Sequence, residues 1–286
     1  MNKPLSIRFT FINLPNLAKL AALIFMVSMN APSVWAAPAA QLWPHWNNSD
    51  ESSTASIDHQ HWQLLLDQYL KVSGDPLVTR FDYANVTVEH RALLTGYINR
   101  LQSLPILQYK KAEQQAYWIN LYNALTVDLI LSRYPVASIR KIKFGFFSFG
   151  PWDEKLAEVD GQPLSLNDIE HRILRPIWQD NRIHYAVNCA SISCPNLAPQ
   201  AFTRANTESL LHEGAINYIN HPRAVAFVGS DLKLSTIYDW YQDDFGGSEQ
   251  GVIQHLLRYA KPELAGRLRS HAGDIDYDYD WGLNSP

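Results

Sequence analysis

Apolar residues recur at helical spacing in three long segments of the chain. The first covers residues 58–74 and ends on a glycine, a residue that commonly terminates helices. The second covers residues 86–104 and stops before a proline. The third, residues 111–134, has apolar side chains on every side and also stops before a proline. This third pattern predicts a helix that is buried in the centre of the protein.

Strand patterns are fewer and shorter. They cover residues 139–144, 182–187, 224–228, 232–235 and 274–281. The helical segments gather at both ends of the chain, and no internal repeat or Gly/Ser linker interrupts residues 58–284. We therefore predict one α+β domain over residues 58–286, rich in helix, with a small and mainly antiparallel sheet and a buried central helix.

Residues 1–36 predict a secretory signal peptide. Their only charges are positive and come from Lys3, Arg8 and Lys19. A short apolar run follows, and Val34 and Ala36 match the small-residue pattern of a signal-peptidase site. Because the run is too short to span a bilayer, we favour cleavage after Ala36 over an uncleaved membrane anchor. The mature protein is then expected to be periplasmic or secreted.

The charge of the mature chain limits its partners. The formal net charge is −4 for the full sequence and becomes −7 when the three basic residues of the signal are lost. An acidic chain without a cluster of Lys and Arg is poorly suited to nucleic acid, and no later segment is apolar enough to span a membrane. We expect a small molecule, a peptide or a glycan as the partner. Residues 37–57 mix Pro, Asn and Ser without periodicity, which predicts a flexible leader.

A carboxylate interrupts the apolar face of the helix predicted over residues 163–178. At 100° per residue that face consists of Leu166, Ile169, Ile173, Leu174 and Ile177. Glu170 falls inside the face, and His171 lies at its edge. Burying a carboxylate is costly unless a cation or hydrogen-bond donors meet it. Glu170 is therefore either one half of a structural ion pair, for example with Arg182, or the acid or base of a functional site.

Two asparagines lie on one side of the otherwise apolar central helix. Asn120 and Asn123 follow each other at i, i+3 spacing, and Val127 continues their line. A buried amide must be hydrogen-bonded, so we favour a structural role in which these side chains tie down a neighbouring loop or strand. Direct contact with a ligand is the alternative.

The segment RIHYAVNCASISCP, residues 182–195, contains both cysteines of the chain. If its opening strand continues, His184 and Asn188 face one way and Cys189 faces the other. This alternation argues against a catalytic pair of His184 and Cys189. It leaves His171 as the better candidate base for a Cys189 nucleophile.

Export favours a disulfide between the two cysteines. Cys189 and Cys194 are separated by four residues, which a loop can close within disulfide geometry. A paired Cys189 has no thiolate and is no nucleophile, whereas two free thiols would restore that possibility. Two sulfur ligands without a following histidine pair do not make a zinc site, so no metal and no cofactor is predicted.

Two further segments are ambiguous. Residues 143–152, KFGFFSFGPW, place aromatic residues beside glycines and predict either core packing or a groove for a peptide or glycan that would include Trp152. Residues 274–280 resemble the opening of a calcium loop, but Tyr279 stands where such a loop needs glycine. We interpret the acidic residues of this segment as the solvated face of an edge strand, namely Asp274, Asp276, Asp278 and Asp280.

Five ordered motifs resemble the family catalogued as domain of unknown function 547. They are YWINLYNALTVDLILSRYP, GQPLSLNDIEHRILR, RIHYAVNCASISCPNL, LSTIYDWYQDDFG and YDYDWGLN, and the resemblance runs over residues 81–284. It implies an exported bacterial domain, with relatives in plants that are fused to leucine-zipper segments. The hallmark positions it implies are Asn120, Tyr122, Asn123, Glu170, His171, Arg182, His184, Asn188, Cys189, Cys194 and Pro195.

The polar residues favour an acid/base hydrolase or transferase of the cell envelope, acting on a peptide- or glycan-like substrate. The catalytic candidates are Glu170, His171 and His184, and the supporting candidates are Asn120, Asn123, Arg182, Asn188 and Trp152. The alternative is a non-catalytic envelope domain that binds a partner and whose polar centre is structural.

Overall fold

The N-terminal half of the protein is built from helices that surround one buried helix. The computed structural model describes residues 37–73, 77–145 and 150–286. Helix α1 (Gln60–Tyr69), the hairpin of β1 (Leu70–Ser73) and β2 (Val78–Phe81), and helix α2 (Val88–Gln102) precede α3 (Lys111–Arg133). From Ala116 to Leu131 every residue of α3 except Asp128 is buried, which confirms the predicted central helix.

The first predicted helix is wrong at its C-terminal end. The helical pattern extends to residue 74, but α1 ends at Tyr69. The next four residues pair as β1 with β2, and buried Leu70 lies opposite buried Phe81 in the register. Tertiary pairing of this hairpin therefore overrides the local helical pattern.

Segment 37–57, which we predicted to be a flexible leader, contacts the core in this structure. Trp46 is fully buried and meets Trp118 of α3 edge-on, with ring centroids 5.0 Å apart. The backbone N–H of Gln41 donates to the carbonyl of His171 at 2.9 Å. Burial of tryptophan in this segment fixes it against the core, although its local sequence has no periodicity. The predicted signal peptide, residues 1–36, lies outside the described residues.

The helix that carries Glu170 is wider than an α-helix. After the hairpin of β3 (Ala157–Val159) and β4 (Gln162–Leu164), a π-helix covers Asp168–Leu174 and continues into α4 (Arg175–Trp178). At its start, the Ser165 hydroxyl and backbone N–H both donate to the carboxylate of Asp168 at 2.9 Å, an arrangement that resembles a capping box. Isolated π-turns of this kind frequently occur at functional sites.

Two of the five predicted strands are wrong. Residues 139–144 contain a 3₁₀ turn, Ile139–Lys141, and residues 182–187 fall largely in a 3₁₀ helix, Asn181–Tyr185. The carboxylate of Asp180 accepts from the backbone N–H of Arg182 and so caps the second helix. The strand prediction for residues 182–187 is wrong because a side-chain cap stabilises the helical backbone there. The alternation of apolar and polar residues gives no information about such a cap.

The C-terminal half adds a small sheet and four helices. Helix α5 (Thr207–Ile219) precedes β5 (Val225–Val228) and β6 (Asp231–Ser235), which pair antiparallel, while β6 and β7 (Ile275–Asp278) pair parallel. Between β6 and β7 lie α6 (Ile237–Trp240), a 3₁₀ turn (Gln242–Phe245), α7 (Glu249–Leu257) and α8 (Pro262–Ser270). The architecture is the predicted helix-rich α+β fold, and the four aspartates of segment 274–280 are exposed along edge strand β7.

The segment with the histidine and the cysteines runs between two hydrophobic cores. The larger core surrounds α3 and contains Ile183 and Ala186, whereas the smaller core lies against the sheet and contains Tyr185. Polar side chains on this segment are therefore held rigidly by neighbours on both sides. Among the described residues, no helix has the length and apolar character needed to cross a membrane.

Candidate functional site

Glu170 is a buried carboxylate that makes no hydrogen bond to another described residue. It is 6% exposed on the π-helix. Two histidine nitrogens approach its Oε1, His184 Nδ1 at 3.7 Å and His171 Nδ1 at 3.9 Å, both beyond hydrogen-bond distance. Buried polar groups are nearly always paired, so an unpaired carboxylate marks a position that is held for something other than packing.

Asp244 orients His184 toward Glu170. Its Oδ2 lies 2.7 Å from His184 Nε2 and 2.6 Å from the Arg175 Nε that donates to it. An ionised carboxylate only accepts hydrogen bonds, so the Nε2 of His184 carries the proton. In the neutral ring the lone pair then lies on Nδ1, the nitrogen that faces Glu170. His184 therefore lies between the carboxylates of Asp244 and Glu170.

His171 has a different role from the one its position suggested. Its Nδ1 lies 3.0 Å from the guanidinium Nη1 of Arg175. Arginine is always a donor, so His171 Nδ1 must be the acceptor, and the ring is neutral. Burial together with the neighbouring Arg175 charge lowers the pKa of His171 to about 4, although the Glu170 carboxylate opposes this shift. His171 therefore holds Arg175 in place and does not transfer protons near neutral pH.

Glu170 is ionised under all physiological conditions. Burial acts to raise its pKa, but the rings of His171 and His184 and the charge of Arg175 outweigh burial and lower the pKa to about 2. A carboxylate of such low pKa is a weak base, because efficient proton acceptors titrate near the working pH. Glu170 therefore places a fixed negative charge 3.7 Å from His184 Nδ1.

Two tyrosines border the Glu170 centre. The ring of Tyr241 stacks on His184 with centroids 4.1 Å apart, and the Arg175 guanidinium lies 4.9 Å from the same ring. Burial raises the pKa of both Tyr241 and Tyr122, and the charges of Glu170 and Cys189 add to the effect in each case. Both hydroxyls therefore stay protonated, and neither has a hydrogen-bond partner among the described residues. They are available as donors to a bound molecule.

The predicted disulfide is not formed. Cys189 and Cys194 are free thiols whose Sγ atoms lie 3.0 Å apart, a hydrogen-bond contact rather than a covalent bond. The disulfide prediction rested on the expected export of the protein and on the spacing of the two cysteines. Neither of these determines how hydrogen bonds position the two sulfur atoms. Cys189 Sγ also lies 3.2 Å from the hydroxyls of both Ser191 and Tyr279.

The asparagines have structural roles. Asn120 makes two hydrogen bonds with the backbone of Phe202, at 2.7 and 3.0 Å. Asn123 donates to the carbonyl of Ala186 at 2.9 Å and accepts the backbone N–H of Asn188 at 2.8 Å. These amides tie the loops to α3, as the sequence predicted.

Asn188 braces the cysteine loop and does not reach the Glu170 centre. Its Nδ2 donates to the carbonyl of Pro195 at 2.6 Å, and its Oδ1 accepts the backbone N–H of Ala190 at 2.9 Å. The prediction that Asn188 and His184 face a common centre is wrong because the segment is not a strand. Asn123, which accepts the backbone N–H of Asn188, instead connects the loop to the central helix.

Arg182 is not the partner of Glu170. It binds Asp180 and Glu208 near the surface, at 2.7 and 2.6 Å. The cation of the site is Arg175, which the sequence analysis missed because α-helical projection places it away from Glu170. In the π-helix the backbone N–H of Arg175 donates to the carbonyl of Glu170, so the two residues are one wide turn apart.

Trp152 belongs to an aromatic surface beside the cysteine loop. Its ring lies 5.6 Å from that of Trp281, which in turn lies 4.6 Å from Tyr279 and 5.5 Å from Trp240. All four rings are partly exposed. Within segment 143–152, the residues 146–149 lie outside the described part of the chain, so the predicted groove rests here on Trp152 alone.

The comparisons with known proteins identify a family. Residues 106–219 match the family model described as "Protein of unknown function, DUF547". Over these residues the chain is similar to that family. No curated protein and no solved structure matches the chain. The DUF547 match contains Glu170, His184 and both cysteines, whereas Tyr241 and Asp244 lie beyond its end.

The sequence analysis did not predict Tyr241 and Asp244 as members of the site. They stand in the motif LSTIYDWYQDDFG, which carries part of the resemblance but gives no hint of its distance from Glu170 in space. The adjacent pair Asp243 and Asp244 in an aromatic context was the one available signal. Across the described ranges of the chain, no group of three or more His, Cys, Asp and Glu is arranged to hold a metal ion.

Proposed function

We propose that this protein is a hydrolase or transferase of the cell envelope that uses the Glu170–His184 pair for acid/base chemistry on a peptide- or glycan-like substrate. The observation that carries the proposal is the buried, ionised Glu170 carboxylate, which faces the free Nδ1 of His184 at 3.7 Å without a hydrogen bond. We expect this pair to activate a hydroxyl group, of water or of an acceptor, that donates to Nδ1.

The division of labour follows from the hydrogen bonds. His184 removes the proton from the attacking hydroxyl, because its Nδ1 carries the lone pair. Asp244 fixes the ring through Nε2, and Glu170 stabilises the imidazolium that forms. The hydroxyls of Tyr122 and Tyr241 are protonated donors for developing negative charge on the substrate. Water as the attacking group gives hydrolysis, and another hydroxyl gives group transfer.

The envelope assignment is supported by the sequence of residues 1–36, with its basic start, apolar run and small-residue cleavage pattern. The acidic mature chain is consistent with a substrate other than nucleic acid. Purified peptidoglycan sacculi contain both peptide and glycan bonds and are therefore the first substrate to test.

The test compares the wild type with His184→Gln and with the surface control Arg182→Gln. Release of soluble fragments is measured, and new amino groups are counted separately from new reducing ends to tell peptide cleavage from glycan cleavage. We expect His184→Gln to lower the rate about 100-fold or more, since positioned acid/base groups contribute about 10²–10⁴. Arg182→Gln should keep the rate. Equal rates for His184→Gln and wild type, or no release by wild type from sacculi or from isolated peptide and glycan chains, would contradict the proposal.

A second candidate function is binding without catalysis. The observation that favours it is the partly exposed aromatic surface of Trp152, Trp240, Tyr279 and Trp281, since such rings commonly contact sugars and peptides. A pure binding domain would retain sacculi equally well as wild type and as His184→Gln, and neither would release fragments.

A further inference from the structure

We propose a second activity that does not use the Glu170–His184 pair: Cys189 and Cys194 are a thiol–disulfide exchange pair, in which Cys189 attacks a disulfide of a substrate and Cys194 resolves the mixed disulfide. The two Sγ atoms are 3.0 Å apart in the reduced protein, so the resolving sulfur already lies next to the bond that it must attack.

The two sulfurs differ in exposure and in hydrogen bonding. Cys189 is partly exposed, whereas Cys194 is 5% exposed and lies behind it. The thiol of Cys189 donates to Cys194 Sγ at 3.0 Å. The hydroxyls of Ser191 and Tyr279 lie 3.2 Å from Cys189 Sγ, where they can donate to a Cys189 thiolate. Hydrogen bonds favour the thiolate form. The geometry therefore makes Cys189 the attacking sulfur and Cys194 the resolving sulfur.

The acidities agree with these roles. The hydrogen bond between the two sulfurs is the largest influence on Cys189 and, with those that involve Ser191 and Tyr279, outweighs burial and lowers the pKa of Cys189 below its usual range. Burial raises the pKa of Cys194 well above its usual range, and the negative charge of Cys189 raises it further. Once Cys189 enters a mixed disulfide its charge is lost, which removes that second influence and makes Cys194 easier to deprotonate.

The loop that carries the two sulfurs is fixed at both ends. Ala190 adopts a left-handed backbone conformation (φ 58°), which turns the chain back after Cys189. Further on, the backbone N–H of Ile192 donates to the carbonyl of Gly282 at 2.8 Å, and that of Ser193 donates to the carbonyl of Asp280 at 3.1 Å. The loop therefore holds the two sulfurs next to each other, which favours the intramolecular attack of Cys194 on the mixed disulfide at Cys189.

The exchange balances without any further reagent. The Cys189 thiolate attacks one sulfur of the substrate disulfide, forms a mixed disulfide and releases the other sulfur as a thiolate, which takes a proton. The Cys194 sulfur then loses its proton and attacks Cys189 Sγ, which releases the second substrate thiol. The two cysteines are oxidised to a disulfide, and the substrate disulfide is reduced to two thiols.

The experiment uses the reduced protein and oxidised glutathione, and follows adducts by intact mass. In wild type we expect both glutathiones to be released and an internal disulfide to form. Cys194→Ser should accumulate a stable glutathione adduct on Cys189, because the resolving sulfur is gone, and Cys189→Ser should form neither product. Thermal unfolding of each variant shows whether it has folded.

Tyr279→Phe provides a second, milder variant. It removes one donor to the thiolate, so the rate of adduct formation at pH 7 should fall several-fold and recover at higher pH, where the thiolate forms without help. A glutathione adduct that persists in wild type as long as in Cys194→Ser would overturn the proposal. So would a reduced wild type in which Cys189 does not react, since the pair would then be a structural feature only.

Discussion

Two sets of buried polar side chains lie close to each other in this protein, and they differ in how they are satisfied. The amides of Asn120 and Asn123 on α3 each make two hydrogen bonds with backbone groups of neighbouring loops. Glu170 is equally buried, yet no described donor lies within hydrogen-bond distance of its carboxylate. Satisfied polar groups define the architecture, and the unsatisfied one marks the site.

The largest difference should appear on acidification, because the Glu170 centre titrates and the amides do not. Burial lowers the pKa of His171 to about 4, and it does the same for His59 and His255 outside the centre. Between about pH 6.5 and 4 the unfolded chain binds a proton at each of these histidines and the folded protein does not. Stability is therefore full above pH 6.5 and falls as the pH drops through this window, by up to about 1.4 kcal/mol per pH unit for each histidine.

The contribution of His171 can be isolated by urea unfolding at a series of pH values. His171→Gln keeps an acceptor for Arg175 but removes the titrating ring, so its free energy of unfolding should depend on pH less steeply than that of wild type, by up to one proton between pH 6.5 and 4. Parallel curves for the two proteins would show that His171 is already protonated in the fold, against the tautomer assigned from Arg175.

A smaller loss, on the order of 3 kcal/mol, is expected for Asn123→Ala. The change leaves the carbonyl of Ala186 and the N–H of Asn188 buried without their partner, and each unsatisfied group costs about 1–3 kcal/mol. Thr126→Val is the matched control, because Thr126 is equally buried on α3 but bonds only within its own helix. Equal stabilities of the two variants in urea would refute a structural role for Asn123.

Regular spacing of apolar residues predicted much of the architecture. The central helix and all three strands of the C-terminal sheet follow from apolar spacing, and Glu170 was recognised because it breaks such a spacing. The strand prediction for residues 182–187 is wrong because the Asp180 cap stabilises a 3₁₀ helix there. The predicted common orientation of His184 and Asn188 depended on that strand and is wrong for the same reason.

The partners of Glu170 could not be predicted for a different reason. A π-turn changes which residues share a face, so Arg175 replaced Arg182 as the cation. Asp244 and Tyr241 come from a distant segment, and only tertiary packing brings them to His184. Likewise, counting cysteines could predict their proximity but not whether a bond joins them.

The account is tested most directly by Glu170→Gln, with unfolding free energy and fragment release from sacculi measured on the same preparation. Glutamine keeps the shape of the side chain and removes its charge. We predict a fall in activity of about 100-fold, because the imidazolium of His184 loses its counter-charge. A moderate loss of unfolding free energy should accompany it, because the lowered pKa of Glu170 means that its charge stabilises the fold. A loss of several kcal/mol in stability with unchanged release of fragments would show that Glu170 is part of the architecture and would contradict the assignment of the site.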